Sequence, residues 1–251
     1  MTLDLDLARG PTLSVMTTDL PPLPDDVTRV LAVAAHPDDL EYGTAAAIAR
    51  WTAAGTEVSY LLVTRGEAGI HDLPPEKAAG VREDEERRSA AVVGVHEVRF
   101  LDGHRDGVVV EGPALRRDIA REIRRLRPEM VVVGSHHETF GPGMWNSADH
   151  RAVGRATIDA AGDAGNRWIF PELVEEGFEP WPGVRRVAVS ASTQPTHVVD
   201  VAGYREVAIA SLAEHATYLA ALDPRPVAEQ AREVVEMTTA GERVAFEVFG
   251  G

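Results

Sequence analysis

Short apolar, β-branched runs alternate along this chain with Ala-, Glu- and Arg-rich segments at helical spacing, and that alternation limits what it can fold into. Residues 27–35, 57–64, 97–101, 130–135 and 186–191 read as strands, with a shorter one at 197–201. Segments 41–54, 78–94, 113–126 and 148–164 read as the helices between them. Helices are expected at 204–222 and 226–240, and a final apolar stretch, 244–249, is expected as an edge strand. Strands that alternate with helices build a mostly parallel sheet covered on both faces, so the spacing predicts an α/β, three-layer Rossmann-like fold. Residues 27–251 read as a single domain behind an N-terminal extension, 1–26, whose Pro21-Pro22-Leu23-Pro24 suggests an extended arm. Segments 140–145 and 170–183, rich in Gly, Pro and aromatics, read as loops. Their Trp145, Trp168, Phe170 and Trp181 either stack on a ligand ring or pack, with packing the default expectation.

Charge and composition exclude several classes of function. A net charge of −15 disfavours nucleic acid and anionic membrane surfaces, both of which select for basic patches. With no cysteine, neither a disulfide framework nor a thiolate metal site can form, so any metal must rest on His, Asp or Glu. No apolar run approaches a membrane span, and the N-terminus lacks the basic and apolar regions of a secretory signal. The expectation is a cytoplasmic protein, with homo-oligomerisation left open.

The chemistry concentrates where the first strand stops. The apolar run Val30-Leu31-Ala32-Val33-Ala34 leads straight into Ala35-His36-Pro37-Asp38-Asp39, so a buried strand ends on a histidine and two carboxylates. Open parallel sheets place their ligands at strand C-termini. Carboxylates beside a core are costly unless they are paired or coordinate a metal. His36 and Asp39, three apart, can aim at one ion, which leaves Asp38 free to handle a proton. An open catalytic zinc site needs a third protein ligand, and His150, in Asn146-Ser147-Ala148-Asp149-His150-Arg151 after the fourth strand, is the best candidate. A nucleotide-binding module is disfavoured, since neither G-x-G-x-x-G nor a Walker loop follows the first strand.

Taken together, Ala35-His36-Pro37-Asp38-Asp39 and the downstream Asp149-His150-Arg151 resemble the PIG-L/LmbE family of zinc-dependent N-deacetylases. Thr64-Arg65-Gly66-Glu67 is similar to the family's second-strand loop. Arg82, Glu85 and Gly94 fit its "R-x-x-E … L-G-V" helix, and Phe100-Leu101 through Asp106-Gly107 fit its "F-L … D-G" turn. The resemblance spans the first strand to about Phe249. It implies one Zn2+ per chain on His36, Asp39 and His150, with Asp38 as the general base that activates the attacking water. It implies that Asp149 orients a histidine, and that Glu67, Arg82 and Asp106 contact sugar hydroxyls or shape the pocket. Arg82 serves equally well as a salt-bridge partner of Glu85 or Glu86. The implied partner is a small N-acetylated sugar, an N-acetylglucosaminyl group on an aglycone. A thiol-conjugate amidase and a catalytically degenerate metal-binding member are the alternatives. One departure stands out: where the family reads His-Pro-Asp-His, this chain reads Ser147-Ala148-Asp149-His150. The role of the first of those histidines, polarising the amide oxygen and protonating the leaving amine, is then empty or taken by His137 or His215. His215 is the expected pocket residue.

Overall fold

The computed structural model describes residues 19–250; the first 18 residues of the expected N-terminal extension lie outside that span. In chain order the elements are β1 (Arg29–Ala34), α1 (Ala45–Ala53), β2 (Glu57–Leu62), α2 (Pro75–Val92), β3 (Glu97–Phe100), α3 (Pro113–Leu126) and β4 (Met130–Val133). A small hairpin follows, β5 (Thr139–Gly141) and β6 (Met144–Trp145), and then α4 (Ala148–Asp163) and α5 (Glu172–Glu175). The chain closes with β7 (Arg186–Ser190), β8 (His197–Asp200), α6 (Arg205–Ala213), α7 (Ala216–Leu222), α8 (Val227–Thr238) and β9 (Arg243–Gly250).

The strands form a seven-stranded sheet in the order β3-β2-β1-β4-β7-β9-β8. Every pairing from β3 to β7 is parallel, while β9 runs antiparallel to both β7 and β8. The chain steps outward from β1 to β2 and β3, then returns to place β4 on the other flank of β1. This is the reversal of strand order at which open α/β sheets bind ligands. Register sets Val33 against Val133, so the carboxyl ends of β1 and β4 finish side by side.

Alternation along β1 divides the core into two layers. Val30, Ala32 and Ala34 pack with α1, α6 and α8, whereas Leu31 and Val33 pack with α3 and α4. Leu115, Ile119 and Ile123 make an i, i+4, i+8 stripe on α3, all fully buried, each contributing about 1.5–3 kcal/mol by leaving water. Among the described residues no helix is long and apolar enough to cross a membrane.

The structure corrects several expected boundaries. The stretch expected as an edge strand, 244–249, lies inside the sheet as β9, and the edge is β8. Phe246 explains the difference, since it is fully buried and too apolar for an exposed rim. The arm partly covers that edge, where Val198 N–H donates to Pro21 O (3.0 Å) and Leu23 N–H donates to Val198 O (2.8 Å). The expected helix 204–222 is broken at His215, because Glu85 Oε1 accepts the Thr217 N–H (2.6 Å) and so caps a new helix, α7. Segment 140–145 contributes to a hairpin, and 170–183 contains the short α5.

Candidate functional site

Beyond Ala34 the backbone turns through residues 36–44 before α1 begins, and Asp39 fastens the start of that turn. Its Oδ2 accepts the N–H groups of Ala35 (3.1 Å) and His36 (2.9 Å). Asp38 follows Pro37 with φ of +85°, a left-handed conformation that carries about 1–3 kcal/mol of strain in a residue with a side chain. Helix α2 offsets that strain. Glu86 Oε2 accepts the Asp38 N–H (3.1 Å), Arg82 Nη2 lies 3.2 Å from Asp38 Oδ1, and Arg82 also donates to Pro37 O. Arg82 is itself clamped, its guanidinium 3.7 Å from the Tyr218 ring centroid.

His150 arrives from the first turn of α4. Ser147 is the N-cap of that helix, and its Oγ accepts the His150 N–H (3.1 Å). Asn146, fully buried, donates from Nδ2 to the carbonyls of Ser135 and His137, both at 2.8 Å. Its Oδ1 is thereby turned toward His150 Nδ1 (3.0 Å), an acceptor that calls for a proton on Nδ1, while Nε2 lies 3.0 Å from Asp39 Oδ1. His36 turns Nδ1 toward Asp39 Oδ2 (3.5 Å) and places Nε2 3.1 Å from both Asp149 Oδ2 and Asp106 Oδ1. Asp149 is fixed by the N–H groups of Gly107 (2.7 Å) and Val109 (3.0 Å), and Asp106 by that of Ala68 (2.8 Å).

One donor atom from each of His36, Asp39 and His150 lies within 4.8 Å of the others. Two imidazoles and a carboxylate, with Asp149 orienting one ring and Asn146 the other, fit a zinc-class cation that keeps an open coordination position. Electrostatics agree. Burial raises Asp39, but the charges and hydrogen bonds of His150 and His36 more than reverse this and hold it well below the usual carboxylate range. Burial likewise lowers His36, yet Asp39, Asp106 and Asp149 hold it well above its ordinary value. The cluster demands positive charge at its centre, which a bound cation would supply. Asp38 differs: burial pushes its carboxyl up to about 6 against the Arg82 guanidinium, with the Asp39 charge adding to the rise.

The remaining residues singled out in the sequence fall into distinct places. Glu67 locks a loop, accepting the N–H groups of Asp106 (3.0 Å) and Arg65 (3.1 Å). Arg82 is only 2% exposed and pairs with Asp38, rather than with Glu85 or Glu86. His215 is 0% exposed, with Nε2 3.6 Å from both Glu41 Oε2 and Glu86 Oε2. The expectation that it faces the pocket is therefore corrected: it lies behind Asp38, linked to it through Glu86. Burial lowers His215, and the two carboxylates reverse that, raising it to about 9. His137 pairs with Glu247 (2.8 Å). Trp181 packs and donates to Pro128 O (2.7 Å), whereas Trp145 stands 69% exposed at the end of the hairpin, beside α4. Sequence reasoning missed Asn146 and Glu86. The spacing of Asn146 four residues before His150 was a usable signal; nothing local pointed from Glu86 to Asp38.

The comparisons first define a class. N,N'-diacetylchitobiose deacetylase from Pyrococcus horikoshii, solved with its inhibitor MPG, superposes with a TM-score of 0.80 over 90% of this chain and 85% of that one. At 21% identity, that shows a shared α/β fold. Residues 31–161, just over half of the chain, match the family described as PIG-L, GlcNAc-PI de-N-acetylase, and the chain belongs to it. Its deacetylases are metal-dependent. Diacetylchitobiose deacetylase of Thermococcus kodakarensis is 29% identical over 76% of this chain and 70% of its own length. The 1D-myo-inositol 2-acetamido-2-deoxy-alpha-D-glucopyranoside deacetylase of Kineococcus radiotolerans is 32% identical over 77% of this chain and 69% of its own.

Proposed function

We propose that this protein is a zinc-dependent N-deacetylase that hydrolyses the acetamide of an N-acetylglucosaminyl-type sugar to acetate and a free amine. The observation that carries the reading is the convergence of His36, Asp39 and His150 beside a separately held carboxyl, Asp38. Relatives that act on diacetylchitobiose and on an inositol-linked acetamido sugar support the substrate class. When bound, zinc would polarise the amide carbonyl and acidify water.

The chain's own residues supply the rest. Asp38 takes a proton from the attacking water as its oxygen closes on the carbonyl carbon, and a carboxyl near 6 suits that task at neutral pH. The same carboxyl then returns the proton to the departing nitrogen as the C–N bond breaks, so one group serves both steps. Ser147 Oγ caps α4 by accepting the His150 N–H, and no proton transfer is assigned to it. Asp149 and Asn146 fix the two rings, and Glu86 and Arg82 hold the Asp38 turn. Trp145, exposed two residues before Ser147, offers a flat face to a sugar ring.

The direct test incubates zinc-loaded protein with diacetylchitobiose and with N-acetylglucosaminyl-inositol while acetate and free amine are quantified. Equal release of both is expected. Metal-replete protein that releases neither from any N-acetylated sugar in a broad panel would sink the reading.

A further inference from the structure

Beyond Val133 the chain of β4 continues along the carboxyl edge of the sheet as Gly134, Ser135, His136 and His137. Two strands away, β9 runs antiparallel to β7 and places Glu247 opposite Val189, at the same edge. The topology therefore gathers a second set of two imidazoles and a carboxylate. His137 Nε2 lies 2.8 Å from Glu247 Oε2, and the rings of His136 and His137 sit 4.2 Å apart. One donor atom from each of the three falls within 4.8 Å of the others. This is the donor composition of the His36–Asp39–His150 centre, assembled from different strands.

We propose that His136, His137 and Glu247 form a second binding site for a divalent transition cation of the zinc class, separate from the catalytic set. The site is built rather than incidental. A Cβ on Gly154 would lie 2.8 Å from the Cβ of His136, so α4 packs its bare backbone directly onto that residue. The His137 N–H donates to Ser135 Oγ (3.3 Å), and Ser192 Oγ donates to Glu247 Oε2 (2.6 Å). A simple His137–Glu247 pair leaves His136 unexplained: its ring faces the pair, and its Nδ1 is buried with no hydrogen-bond partner among the described residues. Burial and the neighbouring His137 lower the pKa of His136. Arg155, whose charge also acts on His136, is paired with Glu138 Oε1 (2.8 Å). Both histidines are half-buried, so an ion can enter from solvent, as it cannot at the sealed Glu41–Glu86–His215 cluster. The two centres are joined through one side chain, since Asn146 bonds both His137 O and His150 Nδ1.

The test is a metal count on the full chain. Stripped protein is titrated with Zn2+ under equilibrium dialysis, with content read by elemental analysis, and in parallel with Co2+, read by its visible absorption. Wild type should take two equivalents, and His136→Gln and Glu247→Gln should each take one. The double variant His36→Ala/His150→Ala should keep one equivalent, which adding Glu247→Gln removes; this arm separates the second site from the catalytic reading. Saturation of wild type at one equivalent that Glu247→Gln leaves in place overturns the proposal, as does survival of two equivalents in both single variants or no binding by the double variant. If the single equivalent of wild type vanishes with Glu247→Gln but not with His36→Ala/His150→Ala, the catalytic assignment falls instead.

Discussion

His36, Asp39 and His150 on one side of Asp38, and Glu41, Glu86 and His215 on the other, are built from the same kinds of residue and have opposite characters. In the first set each imidazole has its far nitrogen engaged, His36 by Asp149 and His150 by Asn146, while the near atoms converge on a point that solvent reaches. In the second set all three side chains are sealed, and Glu41 Oε2, Glu86 Oε1 and both ring nitrogens of His215 have no hydrogen-bond partner among the described residues. Donor type alone therefore does not make a reactive centre. Access and a supporting hydrogen-bond shell do, and the buried set acts as an electrostatic brace that reaches Asp38 through Glu86.

Variants can break or sharpen that contrast. The largest effect is expected from His215→Ala, which strips the buried carboxylates of their counter-charge and should destabilise the fold by about 3–5 kcal/mol. Its metal content should match wild type; a loss of bound zinc in this variant, measured on folded protein, would erase the distinction between the clusters. The linkage has a definite sign. The folded state keeps the His215 proton up to about 9, whereas an unfolded histidine releases it near ~6.5. The His215 contribution is thus complete below about pH 6.5 and is lost as pH rises through about 9. Wild-type denaturation midpoints should fall across that window, with a slope that His215→Ala lacks.

Asp38→Asn comes next. Turnover on an N-acetylated sugar substrate should drop by at least ~10²-fold with zinc retained, because in the proposed mechanism the group lost moves protons and is not a ligand. Full activity in this variant would remove Asp38 from the proposed chemistry. Asn146→Ala should weaken zinc binding by roughly 10–100-fold, the usual cost of losing a partner that orients a ligating histidine, as read by competition with a chromogenic chelator. The smallest change is expected from Ser147→Ala, about 1 kcal/mol of stability from the lost cap, with turnover nearly unaltered. A large loss of turnover there would mean that the hydroxyl does more than cap α4.

Local sequence already carried much of this protein. Apolar runs of strand length separated by helical segments led to the layered α/β sheet, because period-2 and period-3.6 patterns are properties of a few consecutive residues. The pairing of His36 with Asp39, the Ser147 cap on His150 N–H and the Asn146 contact to His150 all span three or four positions, so each follows from backbone geometry within one turn. Tertiary structure alone decided the rest. It brought His150 Nε2 to Asp39 across 111 positions and Glu86 to the Asp38 N–H across 48. It placed β9 inside the sheet rather than at its edge, and it buried His215 behind Asp38 instead of beside the pocket. Those outcomes depend on strand order and on which helix covers which face, quantities summed over the whole chain that no window of neighbouring residues contains.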